Sequence, residues 1–99
     1  MQRAILITVD LGRTEGWTAE ERSQELAELA RSAGASVVRQ EIVHRHEPSP
    51  ACFIGSGKAE EIALLCAKEK AKLVIFNNNL SGTQANNLEE ITKAKVLDR

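Results

Sequence analysis

Apolar residues in this chain fall into short unbroken runs, separated by stretches in which they recur every three or four positions. Ala4 to Val9 is one such run, β-rich and continuous, the pattern of a strand covered on both faces. Thr18 and Glu21 are spaced as a capping box. Leu26, Leu29, Ala30 and Ala33 follow at helical spacing and place a first helix inward, with Gly34 as its terminator. Ala35 to Val43 mixes valine and isoleucine pairs with charged residues and predicts a half-exposed strand. His44 to Pro50 is polar, holds Pro48 and Pro50, and predicts the clearest loop and the place where disorder is expected.

The pattern repeats in the second half. A short apolar run, Ala51 to Ile54, precedes Gly55. A helix is expected after Gly57, with Ile62, Leu65 and Cys66 on one face and Lys68 and Lys70 in its last turn. Leu73 to Phe76 predicts a buried strand, Ser81 to Thr92 a third helix with Leu88 and Ile91 inward, and Lys95 to Leu97 a last strand. Strand–helix alternation of this kind predicts an α/β fold: a mainly parallel sheet of about four strands flanked by three helices, joined by right-handed crossovers. The segment from His44 to Pro50 is too short for a parallel crossover. Residues 51–54 are therefore either antiparallel to the preceding strand or outside the main sheet.

Composition narrows the class. Ninety-nine residues make one small domain, expected to span 1–99, and 3% aromatics means a core of Leu, Ile, Val and Ala. The net charge is −1. Six basic and eight acidic residues stand in the first fifty positions, and seven and six in the rest. No concentrated basic footprint of a free-standing nucleic-acid binder is present. Cys52 and Cys66 are spaced for neither a C-x-x-C motif nor a disulfide framework, and predict two reduced core thiols of a cytoplasmic protein. The apolar run after Met1-Gln2-Arg3 is too short for a signal peptide or a membrane span.

Candidate chemistry gathers in two loops, each following an apolar run and opening a helix, where backbone N–H groups are free and point outward. Gly55-Ser56-Gly57-Lys58 admits a tight turn, a contact to RNA phosphate or another domain, or a nucleotide site. A P-loop requires G-x-x-x-x-G-K and then Ser or Thr, and here the glycine spacing differs and Ala59 follows the lysine. Lys58, beside two glycines, is expected to be solvent-exposed. Asn77, Asn78 and Asn79 stand where open α/β sheets bind ligands, but asparagine is also a turn residue. Ser81 and Gln84 are spaced as a second capping box, which favours a cap over a ligand for Gln84. His44 and His46, with Glu41 and Glu47 nearby, lack the ligand set of a zinc site, and no catalytic triad can be assembled. Trp17 is expected to cover the start of the first helix.

Taken in order, Gly55-Ser56-Gly57-Lys58 with Glu60-Glu61, the run Asn77 to Gln84, Asn87-Leu88-Glu89 and Lys95-Val96-Leu97-Asp98-Arg99 resemble the N-terminal domain of HflX-type GTPases. The chain departs from that pattern in three places: Asn78-Asn79 replace an acidic pair, Gly82 a proline, and Asn86 a basic residue. The resemblance implies a ribosome-associated protein that binds and hydrolyses GTP with Mg²⁺ in a separate GTP-binding domain. The present domain would then contact the large (50S) ribosomal subunit and its own GTP-binding domain. It would carry no catalytic residue and no cofactor. The implied contact residues are Gly55, Ser56, Gly57, Lys58, Asn77, Asn78, Asn79, Ser81, Gln84 and Asn87. Two alternatives stand beside it: a small ATP-binding domain using Gly55–Lys58, and a protein-docking domain without RNA contact.

Overall fold

The computed structural model describes residues 2–12 and 16–98, so part of the expected 10–17 loop and Arg99 of the last motif lie outside the described residues. The elements are β1 (Arg3–Asp10), α1 (Ala19–Ser32), β2 (Ser36–His44), α2 (Ser56–Glu69), β3 (Leu73–Phe76), α3 (Gly82–Thr92) and β4 (Lys95–Leu97). All strand pairs are parallel, in the order β2-β1-β3-β4. The α/β architecture expected from the alternation is therefore the one observed.

The unbroken apolar run of β1 is explained by its position in the middle of the sheet. Ile5, Ile7 and Val9 point to one core, shared with Ile62, Cys66, Val74, Phe76, Leu88 and Val96 beneath α2 and α3. Ala4 and Leu6 point to a smaller core with Leu26, Ala27 and Ala30 of α1. Every residue from Ala4 to Val9 is at most 1% exposed, so alternation could not have appeared in that strand. Helix α1 thus packs on one face of the sheet, over β1 and β2, and α2 and α3 lie on the other.

Both predicted capping boxes are present, Thr18 with Glu21 and Ser81 with Gln84. Three expectations need correction. Helix α2 begins at Ser56, not after Gly57, because it is Gly55, and not Gly57, that takes the positive φ (84°) at the helix entry. Leu29 is 51% and Trp17 54% exposed, so neither is covered by this fold. The segment after His44 is pinned. Ser49 and Phe53 exchange both backbone hydrogen bonds, at 2.8 and 2.9 Å. That small antiparallel lariat stands outside the main sheet and drops Cys52, Phe53 and Ile54 into the core.

Candidate functional site

A parallel sheet with helical crossovers puts the start of every helix at the same edge, the carboxyl ends of the strands. The implied contact residues all stand at that edge, on α2, the β3–α3 loop and α3. The strand order makes the gap between β1 and β3 the point where connections diverge, the usual crevice of an open α/β sheet. Here a side chain spans the gap. Strand β3 ends at Phe76, the Asn77 N–H donates to the Ile7 carbonyl at 2.8 Å, and the Asn78 amide continues the ladder. Asn78 Oδ1 accepts from the Val9 N–H at 2.9 Å, and its Nδ2 donates to the Val9 carbonyl at 3.2 Å. Asn78 behaves as one more residue of β3, while Asn79 is exposed. The Leu80 N–H donates to Asp98 Oδ2 at 2.7 Å, tying the asparagine loop to the end of β4.

Ser81 and Gln84 close the start of α3. The Gln84 N–H donates to Ser81 Oγ at 3.1 Å, and the Ser81 N–H donates to Gln84 Oε1 at 2.8 Å. Gln84 then uses its remaining donor outward: Nε2 reaches the Ser49 carbonyl at 2.8 Å. One turn on, Asn87 Nδ2 reaches the Ala51 carbonyl, also at 2.8 Å. These bonds hold the lariat against α3, and thereby link the asparagine loop to Gly55–Lys58. Gln84 is a cap, as its spacing predicted, and a strut as well.

The start of α2 is built differently. Gly55 is its N-cap, with no side-chain cap bond and no acidic residue in the first turn. Ser56 and Gly57 are exposed. Their N–H groups, with that of Lys58, are the free donors of a helix N-terminus, where the backbone dipole adds partial positive charge. Lys58 is less open than expected: its side chain is 32% exposed and its Nζ stands 3.7 Å from Glu61 Oε1. Since Glu61 is 66% exposed, the pair is a weak surface one. Ala59 is fully buried, where a P-loop would need a hydroxyl for Mg²⁺, so these residues do not fit a nucleotide triphosphate site.

Behind the turn stands Arg45, which the sequence pattern did not single out. Its Nε donates to the Glu47 carbonyl at 3.0 Å and its Nη1 to the Ile54 carbonyl at 2.9 Å. A Cβ on Gly55 would lie 2.7 Å from Arg45 Nη1, so the glycine serves both φ and clearance. Arg45 also borders a cavity of about 230 Å³ at the ends of β1 and β2, with Asp10, Gly12, His44 and His46. In it His44 Nδ1 is 3.4 Å from Asp10 Oδ2. Among the described residues no three His, Cys, Asp or Glu stand together to hold a metal ion. Cys52 and Cys66 are both buried and free, and burial pushes the Cys66 thiol above its ordinary pKa. No described helix is long and apolar enough to cross a membrane.

Residues 20–99 match the protein family described as GTP-binding GTPase N-terminal. The chain is 38% identical over 98 residues to the GTPase HflX of Caldanaerobacter subterraneus subsp. tengcongensis, covering 99% of this chain and 22% of that protein. With the GTPase HflX of Escherichia coli K12 it shares 38% identity over 76 residues, covering 77% of this chain and 18% of that protein. The chain thus spans about a fifth of the length of the curated relatives it matches. A solved structure described as SsGBP in complex with GDP superposes with a TM-score of 0.73 at 20% identity, covering 99% of this chain and 26% of that one. A GTP-binding protein from the archaeon Sulfolobus solfataricus, also with GDP, gives a TM-score of 0.69 at 19% identity, covering 99% and 27%. At those identities the likeness is one of fold.

Proposed function

Since the chain belongs to the GTP-binding GTPase N-terminal family, we propose that it is the ribosome-contacting and regulatory domain of an HflX-type GTPase. It would act in the cytoplasm on the large ribosomal subunit, in rescue, splitting or biogenesis. GTP hydrolysis, with GTP and Mg²⁺, then belongs to the GTP-binding domain of the longer protein, and the 99 residues here act without a catalytic group or cofactor of their own. The observation that carries this reading is the uncapped, acid-free start of α2, with Ser56 and Gly57 exposed and Lys58 beside them. Such a helix end accepts an anionic oxygen without rearrangement, and RNA presents phosphates in quantity. The surface supporting it is Asn79, Ser81 and the exposed start of α3, which also lacks acid in its first turn. Asn77, Asn78, Gln84 and Asn87 hold that surface in place.

The test is co-sedimentation of the full-length protein with large ribosomal subunits at several salt concentrations. Lys58→Ala should weaken binding and flatten the plot of log affinity against log salt by roughly one unit, the signature of one lost phosphate contact. Wild-type affinity with an unchanged slope would refute the RNA contact and leave Gly55–Lys58 a structural turn. A stoichiometric, micromolar ATP or GTP complex of these 99 residues would favour a nucleotide-binding domain instead.

A further inference from the structure

The sheet has one long unpaired edge. Strands β1 and β3 are flanked on both sides and β4 is three residues long, whereas β2 runs for nine, Ser36–His44. Among the described residues no strand pairs with its outer side. An edge of that length is a template for another strand unless it is guarded. Guards are few here: β2 holds no proline and no lysine, and an irregularity opposite Ala4 and Ile5 disturbs only its start. From Arg39 to His44 its register with β1 is unbroken. Just beyond, the Arg45 N–H donates to the Asp10 carbonyl at 3.0 Å. Backbone groups alternate in direction along a strand, so those of Arg39, Glu41 and Val43 also turn inward to β1. Gln40 and Ile42 then present their N–H and C=O groups outward. These two residues also line an open groove of about 290 Å³ with Glu20, Ser23 and Gln24, so solvent reaches the edge from the α1 side.

We propose that this edge pairs with itself in a second copy of the chain, antiparallel, about a two-fold axis at Gln40. The residues around that point read Val37-Val38-Arg39-Gln40-Glu41-Ile42-Val43, which runs alike in both directions except that the charge reverses. A two-fold contact needs that pattern, because residue i meets j where j meets i. Gln40 meets Gln40 of the second copy as a hydrogen-bonded pair, through the backbone groups that already point outward. On either side Arg39 meets Glu41 as a non-hydrogen-bonded pair, the kind in which opposed side chains stand closest. Both side chains lie on the α2–α3 face, since Arg39 is in register with Ile5 and Glu41 with Ile7. Within one chain Arg39 Nε donates to Glu41 Oε2 at 3.0 Å, and the paired edges extend that bond into a ring of alternating charge around the axis. Charge also fixes the register. Directly opposed residues both point outward or both inward, so the axis moves only by whole residues. At Arg39 or Glu41 it sets two like charges face to face, and at Ile42 it sets Arg39 against Arg45. The irregularity at the start of β2 keeps the ladder short, so little area is buried and the dimer is weak and reversible.

The pairing is independent of the ribosome contact, and its test contains no ribosome. Sedimentation equilibrium of the 99-residue chain, carried up to roughly 1 mM to reach weak association, should show the 10.8 kDa species in equilibrium with one of twice that mass and nothing larger. Arg39→Glu and Glu41→Arg each set like charges opposite one another at both pairs, and each alone should weaken association by roughly tenfold or more. Mixed in equal amounts, the two variants restore opposite charges at both pairs, and association should return to within about threefold of the unaltered chain. Mixing cannot mend a loss that comes only from the bond between Arg39 and Glu41 within one strand. Gln40→Cys supplies a second readout, because the two native thiols are buried. Its Cα atoms would stand about 5.5 Å apart across the axis, within disulfide reach, so mild oxidation should link the dimer. Leu64→Cys on α2, where Leu64 is 73% exposed, should link no more than background. A chain that stays at 10.8 kDa throughout overturns the proposal. So does association that either single variant leaves unchanged, a mixture that recovers nothing, equal linkage through Gln40→Cys and Leu64→Cys, or a mass that climbs beyond two copies.

Discussion

Gly55→Ala tests how the start of α2 is held. Gly55 has φ 84° and ψ 152°, a region nearly confined to glycine, where a side chain costs about 1–3 kcal/mol. The added Cβ would also stand 2.7 Å from Arg45 Nη1, so the guanidinium must move and give up its bond to the Ile54 carbonyl. A charge-assisted hydrogen bond of this type is worth roughly 1.5–3 kcal/mol, and this one is only partly buried, so the lower end applies. The sum is about 2.5–5 kcal/mol, a large part of the roughly 5–15 kcal/mol that holds a small domain together. At about 4–8 °C per kcal/mol for this chain length, Tm should fall by about 10 °C or more. Arg45→Ala alone should cost about 1.5–2 kcal/mol. In the double variant the clash has nothing to strike, so Gly55→Ala adds only its backbone strain, and the two changes should fall short of additive by about 1–2 kcal/mol. Urea denaturation of the four proteins measures the cycle. A Gly55→Ala cost below about 1 kcal/mol, or strict additivity with Arg45→Ala, would refute the joint account of φ and clearance.

Gly82 is the first residue of α3, nothing lies within 4 Å of a Cβ built on it, and the preceding Ser81 has ψ 162°, which a following proline prefers. Gly82→Pro should therefore raise stability by about 0.4–1 kcal/mol, and Ser81→Ala should lower it by roughly 1 kcal/mol; a destabilising proline in urea denaturation would contradict the cap. Lys70 and Lys93 close α2 and α3 in the left-handed region, with φ of 55° and 59°, so Lys70→Gly and Lys93→Gly should each stabilise by about 1 kcal/mol, read as a higher urea midpoint. Asn78→Ala strips two hydrogen bonds from Val9 and should cost about 1–3 kcal/mol, whereas Asn78→Asp keeps the acceptor and should cost less; equal losses would show that the acceptor for the Val9 N–H contributes nothing. Because burial holds the folded Cys66 thiol above its ordinary pKa of 9.0, the unfolded chain loses that proton first. Its contribution to stability is thus complete below pH 9.0 and shrinks as pH rises beyond it. Cys66→Ser should flatten that alkaline decline.

What the amino-acid sequence determined by itself is local. The capping boxes at Thr18 and Ser81 span three residues each, and Gly34 ends α1, because these signals act between neighbours along the chain. The continuous apolar run of β1 announced burial on both faces, and the strand–helix alternation announced the parallel sheet. The motifs from Gly55 to Asp98 also carried the family. Tertiary structure decided the rest, since the partners there are set by how the crossovers fold back. Gln84 reaches Ser49 and Asn87 reaches Ala51 across more than thirty residues of chain, and Asn78 finds Val9 across 69. Arg45 lay in a stretch that read as loose loop, and only the lariat at Ser49–Phe53 brings the Ile54 carbonyl and Gly55 against its guanidinium. Helical spacing put Leu29 on the inner face of α1, but a single helix cannot cover four strands, so its flank and Leu97 stay open to solvent. Periodicity reports which side of an element is apolar; whether another element covers that side depends on how many helices the crossovers deliver to each face of the sheet.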